Sequence, residues 1–291
     1  MNGVNAGWVA DQVAGYIKDN QWEGLKEKLS EIARSPQPGL VAQVFTAIPR
    51  NVKPSAQQLR ISFGEVEGLG PNPVPVIVRD WSVVQLLRVW FLSQIPDLGQ
   101  EAYVALIDRL FKYSDMEESV SLYAALPIYR YPKAWQQRCI EGIRSNIGPV
   151  RKAIMVFNHY PSRFLEDEKA WNQLVLKAFF TDEDIPNIIG LNQRNNPNLA
   201  QALTDYAYER YAAKREINPM LWILVGPYLD ERAFDLMERI IIESQIPLEQ
   251  RAIAYAFKHS NYDIAREYCA KNDRFISLSD DSGTPWEAWE Y

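Results

Sequence analysis

The side chains able to do chemistry are few, and none stands in a catalytic spacing. Only two histidines occur, His159 and His259. A zinc site would need more first-shell ligands in workable geometry, so no metal is expected. His159-Tyr160 together with Lys177 forms the acid–base set available to an enzyme. Arg50 and Arg88 are the cations that would hold an anionic intermediate beside that set. Proline at 161 predicts that a helix ends near His159, where an imidazole interacts well with the negative helix terminus. The acidic runs 166–168 and 181–184 could pair carboxylates or bind magnesium, but at expected helix termini they read as solvated caps. No HExxH, glycine-rich phosphate loop or nucleophile elbow is present, and no cofactor is implied.

Two segments suggest a polar site inside an apolar wall. Residues 171–180 put Trp171, Leu174, Val175, Ala178 and Phe179 on one helical face and Leu176 and Phe180 on the other. A helix apolar all round is normally buried, which would shield Asn172, Gln173 and Lys177 from bulk water. Residues 83–92 repeat the pattern, broken only by Gln85 and Arg88. A buried cation needs a partner, because desolvating it alone is costly. Arg88 and Lys177 therefore either line an internal anionic or polar ligand site or pin helices through internal ion pairs and carbonyl bonds. Asn146, Asn192, Asn195 and Asn196 suit helix caps and loop ties. Asn172, inside a helix, either bonds a ligand or clamps an adjacent turn.

These residues must be positioned by helices. The 291-residue chain is 47% hydrophobic and 23% charged, enough to fill a sizeable core. Apolar residues recur at helical spacing in Tyr103, Leu106, Ile107, Leu110 and Phe111, and again in Ala233, Met237, Ile240 and Ile241. No comparable set of alternating strand runs occurs. Prolines such as Pro49, Pro96, Pro127, Pro197 and Pro247 fall between the periodic segments or in their first turns. Asn196-Pro197 reads as an N-cap followed by proline at the first helical position, and Gly148-Pro149 opens another helix. The expected fold is all-α, with roughly a dozen helices of about 10–17 residues. They would form either an α-solenoid of HEAT-like character or an irregular bundle.

The expected organisation is an N-terminal helical group over 1–67, a Gly/Pro-rich connector over 68–79, a main body over 80–272 and an acidic, aromatic tail over 273–291. In that tail Asp280 and Asp281 precede Trp286, Trp289 and Tyr291, either as a docking peptide or as an end that folds back. A net charge of −6 disfavours nucleic acid. Cys139 and Cys269 fit no metal or redox motif and suit the cytoplasm. The longest apolar runs, Met220–Val225 and residues 252–257, fall far short of the about 20 residues that span a bilayer. The nine Trp, fifteen Tyr and eleven Phe suit an aromatic ligand, a partner helix or plain packing.

From Arg144 onward the chain resembles the EboA family of bacterial proteins. The resemblance rests on Arg144-Ser145-Asn146, Asn158-His159-Tyr160-Pro161, and above all Ala170-Trp171-Asn172-Gln173-Leu174-Val175-Leu176-Lys177. Gly190-Leu191-Asn192, Arg194, Asn196-Pro197, Tyr206-Ala207 and Glu209-Arg210 follow, and weaker similarity reaches back through Trp81 and Arg50 to about residue 40. It extends forward to about residue 270. The resemblance implies a setting and no reaction: a gene cluster that moves a metabolite out of the cytoplasm, beside a UbiA-like membrane prenyltransferase and small-molecule enzymes. Those proteins and a small metabolite are the implied partners. The family often carries proline in place of His159 and aspartate in place of Asn192, so it assigns neither an acid–base role. The reading is a helical, non-catalytic binding or scaffold protein. An enzyme using Lys177, His159 and Tyr160 is the alternative. The residues expected at a ligand are Arg50, Arg88, Asn146, Trp171, Asn172, Gln173, Lys177 and Arg194.

Overall fold

The computed structural model describes residues 4–279. The tail residues Asp280, Asp281, Trp286, Trp289 and Tyr291 lie outside them. The chain divides into two compact units, at Trp171/Asn172.

The first unit opens with strand β1 (Val4–Asn5) and helices α1 (Ala6–Tyr16), α2 (Asp19–Arg34) and α3 (Pro38–Asn51). Short strands β2 (Arg60–Ile61), β3 (Gly64–Glu67), β4 (Val76–Val78) and β5 (Trp81–Ser82) come next. Helices α4 (Val83–Ser93), α5 (Gln100–Tyr113), α6 (Met116–Ala124), α7 (Gln136–Arg144), α8 (Gly148–Met155) and α9 (His159–Phe164) complete it. The division falls inside α10 (Glu168–Phe180).

The small sheets were not visible in the residue pattern. β3 runs parallel to β1 and antiparallel to β4, pairing Gly64 with Val78 and Val66 with Val76. The Gly/Pro-rich stretch is thus in part a strand, with Val76 and Val78 buried. β2 pairs with β5, and Ser82 at the end of β5 caps α4 by accepting from the Gln85 amide at 3.1 Å. α4 then packs against α1, α3 and α6. That explains a helix apolar on every side, with Leu86, Leu87, Val89, Trp90, Phe91 and Leu92 all buried. Pro49 lies within α3 and not between helices, in its last turn. Gly142 on α7 leaves room for the Tyr123 ring of α6: a Cβ there would sit 2.6 Å from it.

The second unit holds α11 (Leu191–Arg194), α12 (Pro197–Ala212), α13 (Met220–Val225), α14 (Glu231–Glu243), α15 (Pro247–Lys258), α16 (Asp263–Ala270) and α17 (Asp273–Leu278). α13 packs against α12 and α15, and every one of its six residues is buried. The apolar run at Met220–Val225 is therefore core. α15 is the hub, touching α13, α14, α16 and α17. Gly226 lets it approach: a Cβ on Gly226 would meet the Ala256 Cα at 3.0 Å. Seventeen α-helices occur among the described residues, more than the dozen expected, and α9, α11, α13 and α17 are six residues or shorter. Among those residues no helix is long and apolar enough to cross a membrane.

Candidate functional site

Arg88 is buried, at 3% exposure, and so is its partner Glu118. The guanidinium Nη2 lies 3.4 Å from Glu118 Oε1, and the group stacks over the Phe45 ring with its carbon 5.2 Å from the centroid. Glu118 is also the third residue of α6, where it completes a capping box with Asp115. Its second oxygen accepts from the Asp115 amide at 3.2 Å. Burial lowers the Arg88 pKa, and Glu118, Asp115 and Glu117 oppose that shift. A guanidinium titrates too high for this to discharge it at neutral pH. Of the two roles expected for Arg88, the ion pair that pins α4 to α6 is the one its geometry displays.

The segment around His159 departs from expectation. His159 begins α9, and no helix ends there. Asn158 is the N-cap: its Oδ1 accepts from the Tyr160 amide at 2.9 Å, while its Nδ2 donates to the Ala153 carbonyl at 2.8 Å and the Tyr123 carbonyl at 3.2 Å. Pro161 fits because a first turn has amides with no helical partner. The Tyr160 hydroxyl is buried and donates to the Pro132 carbonyl at 2.5 Å, and burial drives its pKa far above the ordinary value. His159 Nε2 lies 3.5 Å from Glu65 Oε1 of β3. Burial lowers the imidazole pKa, Glu65 opposes that shift and Arg163 adds to it, and the net direction is downward. Elsewhere in this unit Arg50 and Asn146 are exposed and Trp171 is buried. The Arg50 carbonyl accepts from Lys18 Nζ at 2.7 Å.

In the second unit Asn172 is a clamp. It exchanges two hydrogen bonds with Asn196, at 3.2 and 2.9 Å. The Asn196 Oδ1 also caps α12 through the Leu199 amide, and its Nδ2 reaches the Arg194 carbonyl. α10 is not shielded all round: Gln173 is exposed, Lys177 and Leu176 are half-buried, and Phe180 is 70% exposed. The helical wheel overstated its burial. Arg194 is half-buried.

The second unit also holds an open cleft, of about 300 Å³, between the α12–α13 turn and the junction of α14 with α15. Its apolar surface comes from Ile217, Ile240 and Ile246, the last 47% exposed at the rim. Left-handed backbone at Lys214 (φ 52°) turns the chain after α12, and Arg210 Nε holds the returning loop through the Glu216 carbonyl at 2.8 Å. The Tyr211 hydroxyl donates to Glu243 at 2.9 Å. Glu249, in the first turn of α15 behind Pro247, is 7% exposed. Burial raises its pKa, the Ser244 hydroxyl donating to it works the other way, and Glu216 adds like charge. None of the residues expected at a ligand lines this cleft, nor do His159 and Tyr160. The sequence signal for Glu249 is only an acidic residue in a helix's first turn, which is commonplace.

Fold and cleft define a helical protein with a small-molecule-sized concavity. Among the described residues no group of three His, Cys, Asp or Glu is placed to hold a metal. Cys139 and Cys269 are buried. The family model described as metabolite traffic protein EboA matches residues 5–226, and the chain belongs to that family. The match starts earlier than the resemblance read from the residues and stops before α14. No curated protein and no solved structure matches significantly.

Proposed function

We propose that this EboA-family chain is a non-catalytic binding protein of metabolite traffic that holds a small molecule in the α12–α15 cleft. The family supplies the setting. One contrast carries the reading. The buried polar groups of Asn158 and Tyr160 are engaged with the protein itself, whereas the cleft leaves apolar surface and the Glu216 and Glu243 carboxylates facing open space. A volume of about 300 Å³ sits at the lower end for ligand pockets. Passing the bound molecule to the enzymes of the same gene cluster, the UbiA-like prenyltransferase among them, is the role that this setting suggests.

The test is native mass spectrometry of the protein purified from cells that carry the whole pathway. A small molecule should accompany the wild type and the control Ile264→Trp, whose site on α16 is exposed and away from the cleft walls. It should be missing from Ile246→Trp, which fills the cleft mouth. Retention by Ile246→Trp, or no bound molecule in any of the three, would overturn the reading.

A further inference from the structure

The binding reading leaves open what the cleft recognises, and its charges do not balance locally. Lys214, Arg215 and Glu216 of the α12–α13 turn face it, as does Glu243 of α14. Arg274 of α17, outside the cleft lining, is spent on Gln250 Oε1 at 2.7 Å. Among the described ion pairs none joins Lys214 or Arg215 to Glu216, Glu243 or Glu249, and both cations are exposed. Glu216, another carboxylate, adds like charge at the Glu249 carboxyl. Glu249 is therefore a buried acid on the cleft wall with no ion pair among the described residues. A buried carboxylate without a cation is costly, and a ligand cation would remove that cost.

We propose that the cleft takes an amphipathic organic cation, its apolar ring or chain lying on Ile217, Ile240 and Ile246 and its amino or amidino nitrogen bonded to the Glu249 carboxylate. The concave volume favours a small molecule over a lysine presented by a flat protein surface. The inference rests on the cleft being a binding site. The cation binds the ionised form of Glu249, so any proton on that carboxyl is released on binding. Affinity rises with pH until that carboxyl is ionised in the free protein.

Three probes that share a phenylethyl group separate the possibilities: 2-phenylethylamine, 2-phenylethanol and 3-phenylpropionate, titrated into the full chain while isoleucine methyl resonances are followed. The amine should bind on the order of tenfold more tightly than the alcohol at about pH 8. The propionate should bind weakest. Glu249→Gln, nearly isosteric, should erase the amine's advantage and its pH dependence while the methyl spectrum of the free protein stays folded. Glu243→Gln, at the rim, should keep most of the preference. Equal or tighter binding of the alcohol or the propionate would overturn the cationic assignment and leave the cleft a binding site. Amine preference retained in Glu249→Gln would overturn the role of Glu249. No shift of the Ile217, Ile240 or Ile246 methyls with any probe would overturn both the assignment and the binding reading.

Discussion

Replacing Arg88 by Met removes one half of a buried ion pair and keeps most of the stem's apolar volume. Arg88 and Glu118 are 3% and 5% exposed, so the Glu118 carboxylate left behind cannot reach water freely. It retains one bond from the Asp115 amide. Breaking a buried pair on one side costs about 3–5 kcal/mol. The long 3.4 Å contact and the surviving amide bond put this case at the lower end, about 3 kcal/mol. Adding Glu118→Gln removes the stranded charge and keeps a capping-box residue at that position. The double variant should therefore regain about 1–2 kcal/mol of the loss. Urea denaturation of the full chain, followed by tryptophan fluorescence, gives both numbers, with the first unit's transition read separately if two appear. An Arg88→Met variant within about 0.5 kcal/mol of wild type would refute the argument that Arg88 is held for the fold. So would a double variant less stable than Arg88→Met.

Asn196→Ala should cost about 2 kcal/mol, since it deletes the α12 cap and both bonds to Asn172; a thermal melt showing less than about 0.5 kcal/mol contradicts the clamp. Gly142→Ala should destabilise by about 1–3 kcal/mol, because its Cβ would fall 2.6 Å from the buried Tyr123 ring; unchanged denaturation would mean that α6 and α7 can part freely. Glu249 has a folded pKa above its unfolded one, so its contribution to stability is full below the unfolded value and is lost as pH rises through the folded value. Glu249→Gln should flatten that part of the stability–pH curve and gain on wild type at its alkaline end. An unchanged slope would show that another group sets it.

Much of the architecture was readable from residue pattern, and the failures have identifiable causes. α4 and α13 are apolar all round and are buried, as that rule requires. The same rule failed for α10, where Phe180 is exposed, because a wheel records chemistry and not which neighbours arrive. Proline at 161 is compatible with either end of a helix; the Asn158 cap, two residues before Tyr160, decides for the start. The side chain of Asn172 is paired with Asn196, a partner 24 residues away that spacing alone does not indicate. The strands β1–β5 are at most four residues long, too short for alternation to register. The family could be recognised from the residues around Trp171, whereas the cleft could not. Its walls come from segments near 211–217 and 240–249, and only their meeting distinguishes Glu249 from any other acidic residue in a first turn.

The most direct measurement is the equilibrium affinity of 2-phenylethylamine for the wild-type chain and for Ile246→Trp, by calorimetry at about pH 8. The account predicts saturable one-site binding by the first and loss of the heat in the second. Equal isotherms from the two proteins, or a flat one from the wild type, would contradict it.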